Sequence, residues 1–148
     1  MSLELQVLEP TDLEAILLFE TQKLAQEVSD ENERQFQSWS ARWREESLRQ
    51  YLPLGWSFKA VEDGRMVGYF LAQPLLFLDG QTQSLWIEHV QFVNLAIRDV
   101  LCDMAVRLGR EKHLQRVYFP SQANLQSALS AFRPEVWQPN VTAVKTTK

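Results

Sequence analysis

Hydrophobic and polar positions change their period along the chain several times, and each change marks an element. Leu3 to Leu8 alternates imperfectly with polar residues, enough for a first strand, and Glu9-Pro10-Thr11-Asp12 supplies a turn and a helix start. Apolar residues at 13, 16, 17, 24 and 28 then give a helix with one buried face. Ser29 to Glu33 breaks it, and a second helix over about 33–51 carries Phe36, Trp39, Trp43 and Tyr51. Those aromatics are expected in the core, with Trp43 or Tyr51 lining an acceptor pocket as the alternative. Arg34, Arg42, Arg44 and Glu45 fall on its other faces.

Beyond Pro53-Leu54-Gly55 the period becomes that of strands. Ser57 to Glu62 and Met66 to Leu78 flank Asp63-Gly64, a strong hairpin signal, and Pro74 inside the longer strand points to a bulge or an edge. Asp79-Gly80-Gln81 turns into a strand over 84–92, rich in aromatic and β-branched residues. Ile97, Val100, Leu101, Met104, Ala105 and Leu108 then form one helical face. Asn94 lies at that junction, able to cap the helix or to adopt a left-handed turn. Amide groups and the positive end of the helix dipole converge there, so an anion is expected at this point if the chain has a ligand. Arg116 to Phe119 reads as a strand, Asn124 to Phe132 as a short helix and Asn140 to Lys145 as a last strand. The order is βααβββαβαβ. The crossover from the strand at 85 to that at 116 makes those two parallel, so an α/β fold follows, a mixed sheet mostly antiparallel with one parallel pair.

At 148 residues, with no repeat or linker composition, residues 1–148 form one domain. The single Cys102 falls on the apolar helix face and suits a reducing, cytoplasmic setting, with no apolar run of membrane-span length. Net charge is −4 but segregated: residues 1–50 hold eleven acids and five bases (−6), residues 51–94 four and two (−2), and residues 95–148 four and eight (+4). An anionic ligand should prefer the C-terminal third and a cationic one the N-terminal third. The bases are too scattered for nucleic acid. Two His and one Cys far apart give no metal-ligand spacing.

The element order, with Lys59-Ala60-Val61-Glu62-Asp63-Gly64-Arg65-Met66-Val67-Gly68-Tyr69 as its first hairpin, resembles the GNAT superfamily of acyl-CoA-dependent N-acyltransferases. The resemblance implies transfer of an acetyl group from acetyl-CoA to the amine of a small molecule or peptide. A homodimer is open. Members bind the coenzyme A pyrophosphate at Gln/Arg-x-x-Gly-x-Gly/Ala, and Gln91-Phe92-Val93-Asn94-Leu95-Ala96 holds that place, with Asn94 for the first glycine. In an alternative alignment the phosphate-binding turn is largely deleted. Val90 and Arg98 flank the loop and complete the expected coenzyme contacts.

The family's base is often a Glu or His on the fourth strand. Strict alternation puts Glu88 with Trp86, Val90 and Phe92, and His89 on the other face with Leu85, Ile87 and Gln91. Glu88 among apolar neighbours would suit a general base, whereas at an edge it would solvate or pair with an arginine. His89 reads as a core histidine. The tyrosine many members use as general acid is absent from Asn124 to Phe132, leaving Tyr118 as the nearby phenol. Two functions follow: an N-acyltransferase using Glu88, or a degenerate, inactive module that keeps the fold for binding or assembly.

Overall fold

The computed structural model describes residues 2–137 and 142–146. Five strands, β1 (Leu3–Val7), β2 (Phe58–Glu62), β3 (Arg65–Leu76), β4 (Gln83–Phe92) and β5 (Arg116–Tyr118), lie in spatial order β1-β2-β3-β4-β5. All neighbours are antiparallel except β4 and β5, which pair in parallel from Ser84↔Arg116 to Trp86↔Tyr118. The expected mixed sheet with one parallel pair is thus present. Helices α1 (Leu13–Glu27), α2 (Glu31–Trp39) and α3 (Glu45–Tyr51) precede β2, α4 (Leu95–Glu111) joins β4 to β5, and α5 (Gln126–Leu129) follows.

The helix expected over 33–51 is two helices, separated at residues 40–44. Helix α2 buries none of its residues, and Phe36 and Trp39, expected in the core, are 65% and 61% exposed, their rings edge to face at 5.3 Å. Nine mostly polar residues present no stripe wide enough to seat on the sheet. Tyr51, at the end of α3, is buried as expected. The last expected strand, Asn140 to Lys145, begins outside the described residues, and 142–145 are not in a strand.

Each face of the sheet carries its own core. Phe70 and Ala72 of β3 with Leu85, Ile87, Val90 and Phe92 of β4 meet Ile97, Leu101, Cys102, Ala105 and Leu108 of α4. On the opposite face Tyr69 and Leu71 meet Ile16 of α1 and Leu48, Tyr51 and Leu52 from α3 and the turn after it. Burying a Leu or Ile side chain contributes about 1.5–3 kcal/mol, so either helix layer is held chiefly by these few contacts. Gly68 sets the spacing of α4: a Cβ there would lie 2.8 Å from the Gln91 carbonyl oxygen, 2.8 Å from Ile97 Cγ2 and 2.9 Å from Leu101 Cδ1. The hairpin at Asp63-Gly64 takes φ of 53° and 77°, the left-handed pair that an Asp-Gly turn supplies. Pro74 pairs only with Leu85, because β2 stops at the Phe58↔Phe70 pair; its missing N–H faces an edge within a central strand.

Candidate active site

The site begins with a register fault. Leu71 pairs with His89 and Ala72 with Ile87, so Glu88 is an extra residue on β4 with no partner on β3. The bulge reverses the parity of the strand. Leu85 and Ile87 face α4 before it, Val90 and Phe92 after it. Glu88 and His89 therefore both turn toward the α1 and α3 side. The strict alternation expected from sequence fails here, and Glu88 is not among Val90 and Phe92. Pairing of β4 with β5 also ends at Trp86, so from Ile87 onward β3 is the one strand bonded to β4.

Glu88 has two partners, neither apolar. Tyr51 donates to its Oε2 at 3.0 Å, and Arg42 Nη1 donates to its Oε1 at 3.1 Å and to its backbone carbonyl at 3.2 Å. The side chain keeps 23% of its exposure, while Arg42 keeps 51%. Burial first, then the charge and hydrogen bond of Glu88, hold the Tyr51 proton on well above the usual phenol range, with Arg42 opposing. Of the sequence alternatives for Glu88, pairing with an arginine is the one observed. Arg42 lies in the break between α2 and α3, so the same contact pins that segment over the bulge.

His89 is a core histidine, as expected. Its Nε2 lies 3.1 Å from Oε2 of Glu20, a buried carboxylate on α1, and its ring stands 5.7 Å from that of Tyr69. Burial and the Glu20 charge raise the Tyr69 phenol well above its ordinary value. Tyr118 packs between Trp86 and Trp137, 6.2 and 4.9 Å away between centroids.

The residues expected to hold a coenzyme divide. Val93, Asn94, Leu95 and Ala96 are exposed together at the start of α4. Val90 and Phe92 turn their side chains into the core, leaving backbone as what they can offer a ligand. Gln91 folds back so that its Oε1 accepts from the Phe92 N–H at 3.2 Å. Asn94 is a helix cap: its backbone is extended, φ −154°, and its Oδ1 accepts from Ile97 N at 3.0 Å. The left-handed alternative is excluded. Arg98 is 7% exposed, bound to Asp99 at 2.8 Å and donating to the Asn124 carbonyl at 2.9 Å, so it ties α4 to the following turn. Lys23, from α1, is the cation near the junction, 6.0 Å above the Phe92 ring. Sequence reasoning missed Arg42 and Glu20, and weighed Tyr51 only as a lining residue. Their separations of 46, 69 and 37 residues from β4 leave no local signal.

A five-stranded mixed sheet with one parallel pair and helices on both faces matches the fold of the GNAT acetyltransferases. The chain belongs to the family described as protein of unknown function DUF1999, whose model matches residues 3–144. Among solved structures it is similar to TTHA1254 from Thermus thermophilus, at 18% identity over 98% of each chain with a TM-score of 0.59. It is also similar to a predicted acetyltransferase with acetyl-CoA from Clostridium acetobutylicum, at 8% identity over 97% of this chain and 96% of that one, TM-score 0.67. A third is the aminoglycoside acetyltransferase meta-AAC0020 from an uncultured soil metagenomic sample in complex with sisomicin, at 16% identity over 99% and 97%, TM-score 0.60. At these identities the likeness is one of fold. No curated protein matches in sequence.

Proposed function

We propose that this chain, residues 1–148 acting as one cytoplasmic domain, is an N-acyltransferase that moves an acetyl group from acetyl-CoA to a primary amine. The observation that carries the reading is the bulge that projects Glu88 at the point where β4 and β5 part. Bulges re-aim side chains beside active sites, and this one turns a carboxylate out of the core toward α3. The fold shared with acetyltransferases supports the same reading.

The junction at α4 suits a pyrophosphate in part. The Asn94 cap takes the Ile97 N–H and leaves those of Leu95 and Ala96, the first two of the helix, which point with the helix dipole. Lys23 stands near as a cation, while Arg98 is committed elsewhere. Acetyl-CoA, when bound, would supply the acetyl group as an activated thioester. Glu88 would accept the proton that an incoming ammonium must lose, exchanging its bond from Arg42 or Tyr51 for the amine. The amine nitrogen then bonds the acetyl carbon as the carbon–sulfur bond breaks, and the second amine proton leaves with the thiol. Tyr51, bonded to Glu88 and keeping its proton, would hold the carboxylate in position for the amine.

The second reading, an inactive module on the same fold, draws support from the occupied donors: both Glu88 oxygens and Arg98 are already engaged. Calorimetry with coenzyme A at low salt separates the two. Micromolar affinity, about −8 kcal/mol, is expected. No heat and no thermal shift at millimolar ligand would leave the module.

A further inference from the structure

Arg42 is bonded directly to the proposed base, Glu88. Its Nη1 alone makes both contacts to Glu88, and its Nη2 and Nε have no bond among the described residues. The neighbouring cations are neutralised: Arg44 lies 2.6 Å from Glu46, and Arg49 lies 2.9 Å from Glu45. Half of the Arg42 side chain is exposed, so a planar fork of donors faces solvent directly beside the proposed base.

That pairing constrains the acceptor. An ammonium approaching Glu88 arrives within a few ångströms of a guanidinium, and like charges at that distance repel. An acceptor bearing its own carboxylate converts the repulsion into a bidentate, charge-assisted bond. Because Arg42 and Glu88 touch, at 3.1 Å, the two charges of the ligand must also sit close together. We infer that the acceptor is a free amino acid or a close homologue, its ammonium facing Glu88 and its carboxylate held by Arg42. Polyamines and other polycations are disfavoured at the same spot by the Arg42 charge, although residues 1–50 are acidic in total.

This rests on the acyltransferase reading and sharpens it. The reaction balances as an ammonium and an acetyl thioester giving an N-acetyl amide, a free thiol and one proton. Arg42 takes no part in bond making; it is a specificity-determining residue.

The test uses the full chain with acetyl-CoA and matched acceptors: alanine against ethylamine, serine against ethanolamine, and spermidine as polycation, following thiol release and N-acetyl product by mass spectrometry. The expected result is a kcat/KM for the amino acid roughly 10- to 100-fold above its decarboxylated partner. Arg42→Gln should bring that ratio to about one, chiefly through KM for the amino acid, and Arg42→Lys should restore part of it. Both variants are checked for an unaltered melting temperature. Equal or better turnover of ethylamine or spermidine by a chain that binds coenzyme A overturns the inference alone. Failure to bind coenzyme A, or binding with no acceptor acetylated, overturns the acyltransferase reading and the inference with it.

Discussion

Glu88 and Asn94 lie on one strand-helix segment and are unlike in how far their contacts can be foreseen. A carboxylate with one oxygen bonded by Tyr51 and the other by Arg42 is oriented, and replacing it by the isosteric amide keeps the shape while removing the acceptor of a proton. Glu88→Gln is therefore expected to lower turnover by about 10²-fold with coenzyme A affinity held within about twofold. An unchanged rate, measured by thiol release, would move the base elsewhere. Asn94 acts locally. Its Oδ1 satisfies the Ile97 N–H, so Asn94→Ala should cost about 1 kcal/mol in urea unfolding and Asn94→Gly only a few tenths. Since φ is already extended, glycine relieves nothing; a glycine variant more stable than the parent would contradict the cap. The cap was one of two readings the sequence left open, because a short polar side chain ahead of an apolar helix suits a cap or a left-handed turn alike. The partners of Glu88 were not legible there, because they arrive from elements whose positions depend on the whole sheet.

Elements show the same division. The hairpin at Asp63-Gly64, the α4 stripe and the parallel pair β4–β5 each follow from periodicity, turn chemistry or crossover geometry, and each is present. The bulge at Glu88 was not visible, since a period of two carries no mark for an inserted residue; it exists only in the pairing with Leu71 and Ala72. Nor does the segment 40–44 contain the Gly or Pro that announces a helix break. Helix α4 makes the element-scale prediction. Gly68 allows its first turns to press on β3 and β4, and two of the three atoms a methyl would meet belong to Ile97 and Leu101 while the third is backbone. Gly68→Ala should destabilise by about 1–3 kcal/mol. The melting temperature should fall by roughly 2–4 °C per kcal/mol, and coenzyme affinity should weaken because the α4 start is displaced. A variant as stable as the parent would mean that α4 can retreat freely, and its junction would then be a poor anion site.

At the scale of the whole molecule the buried titratable groups act together on folding. Cys102 is pushed up to about 11, chiefly by burial, with Arg98 opposing and Asp99 assisting. Tyr51 and Tyr69 are both raised, by burial first and then by the charges of Glu88 and Glu20. In the unfolded chain these groups ionise near 9.0 for the thiol and 10.0 for the phenols, while the folded chain still holds the protons. The unfolded state then binds fewer protons than the native one, so stability must decrease as pH rises. Below about pH 9 these three groups contribute no slope. Above it each group in its window removes about 1.4 kcal/mol per pH unit, the thiol first and both phenols from pH 10. Urea unfolding from pH 7 to 11.5 should accordingly show a level region, a shallow decline and a steeper one. Cys102→Ala should erase the first decline, and Tyr69→Phe should lessen the second without altering where it begins. Stability that stayed level through pH 11 would mean that both phenols are solvated in the native state, and the buried Glu20, His89 and Tyr69 cluster beneath α1 would then have to be open to water.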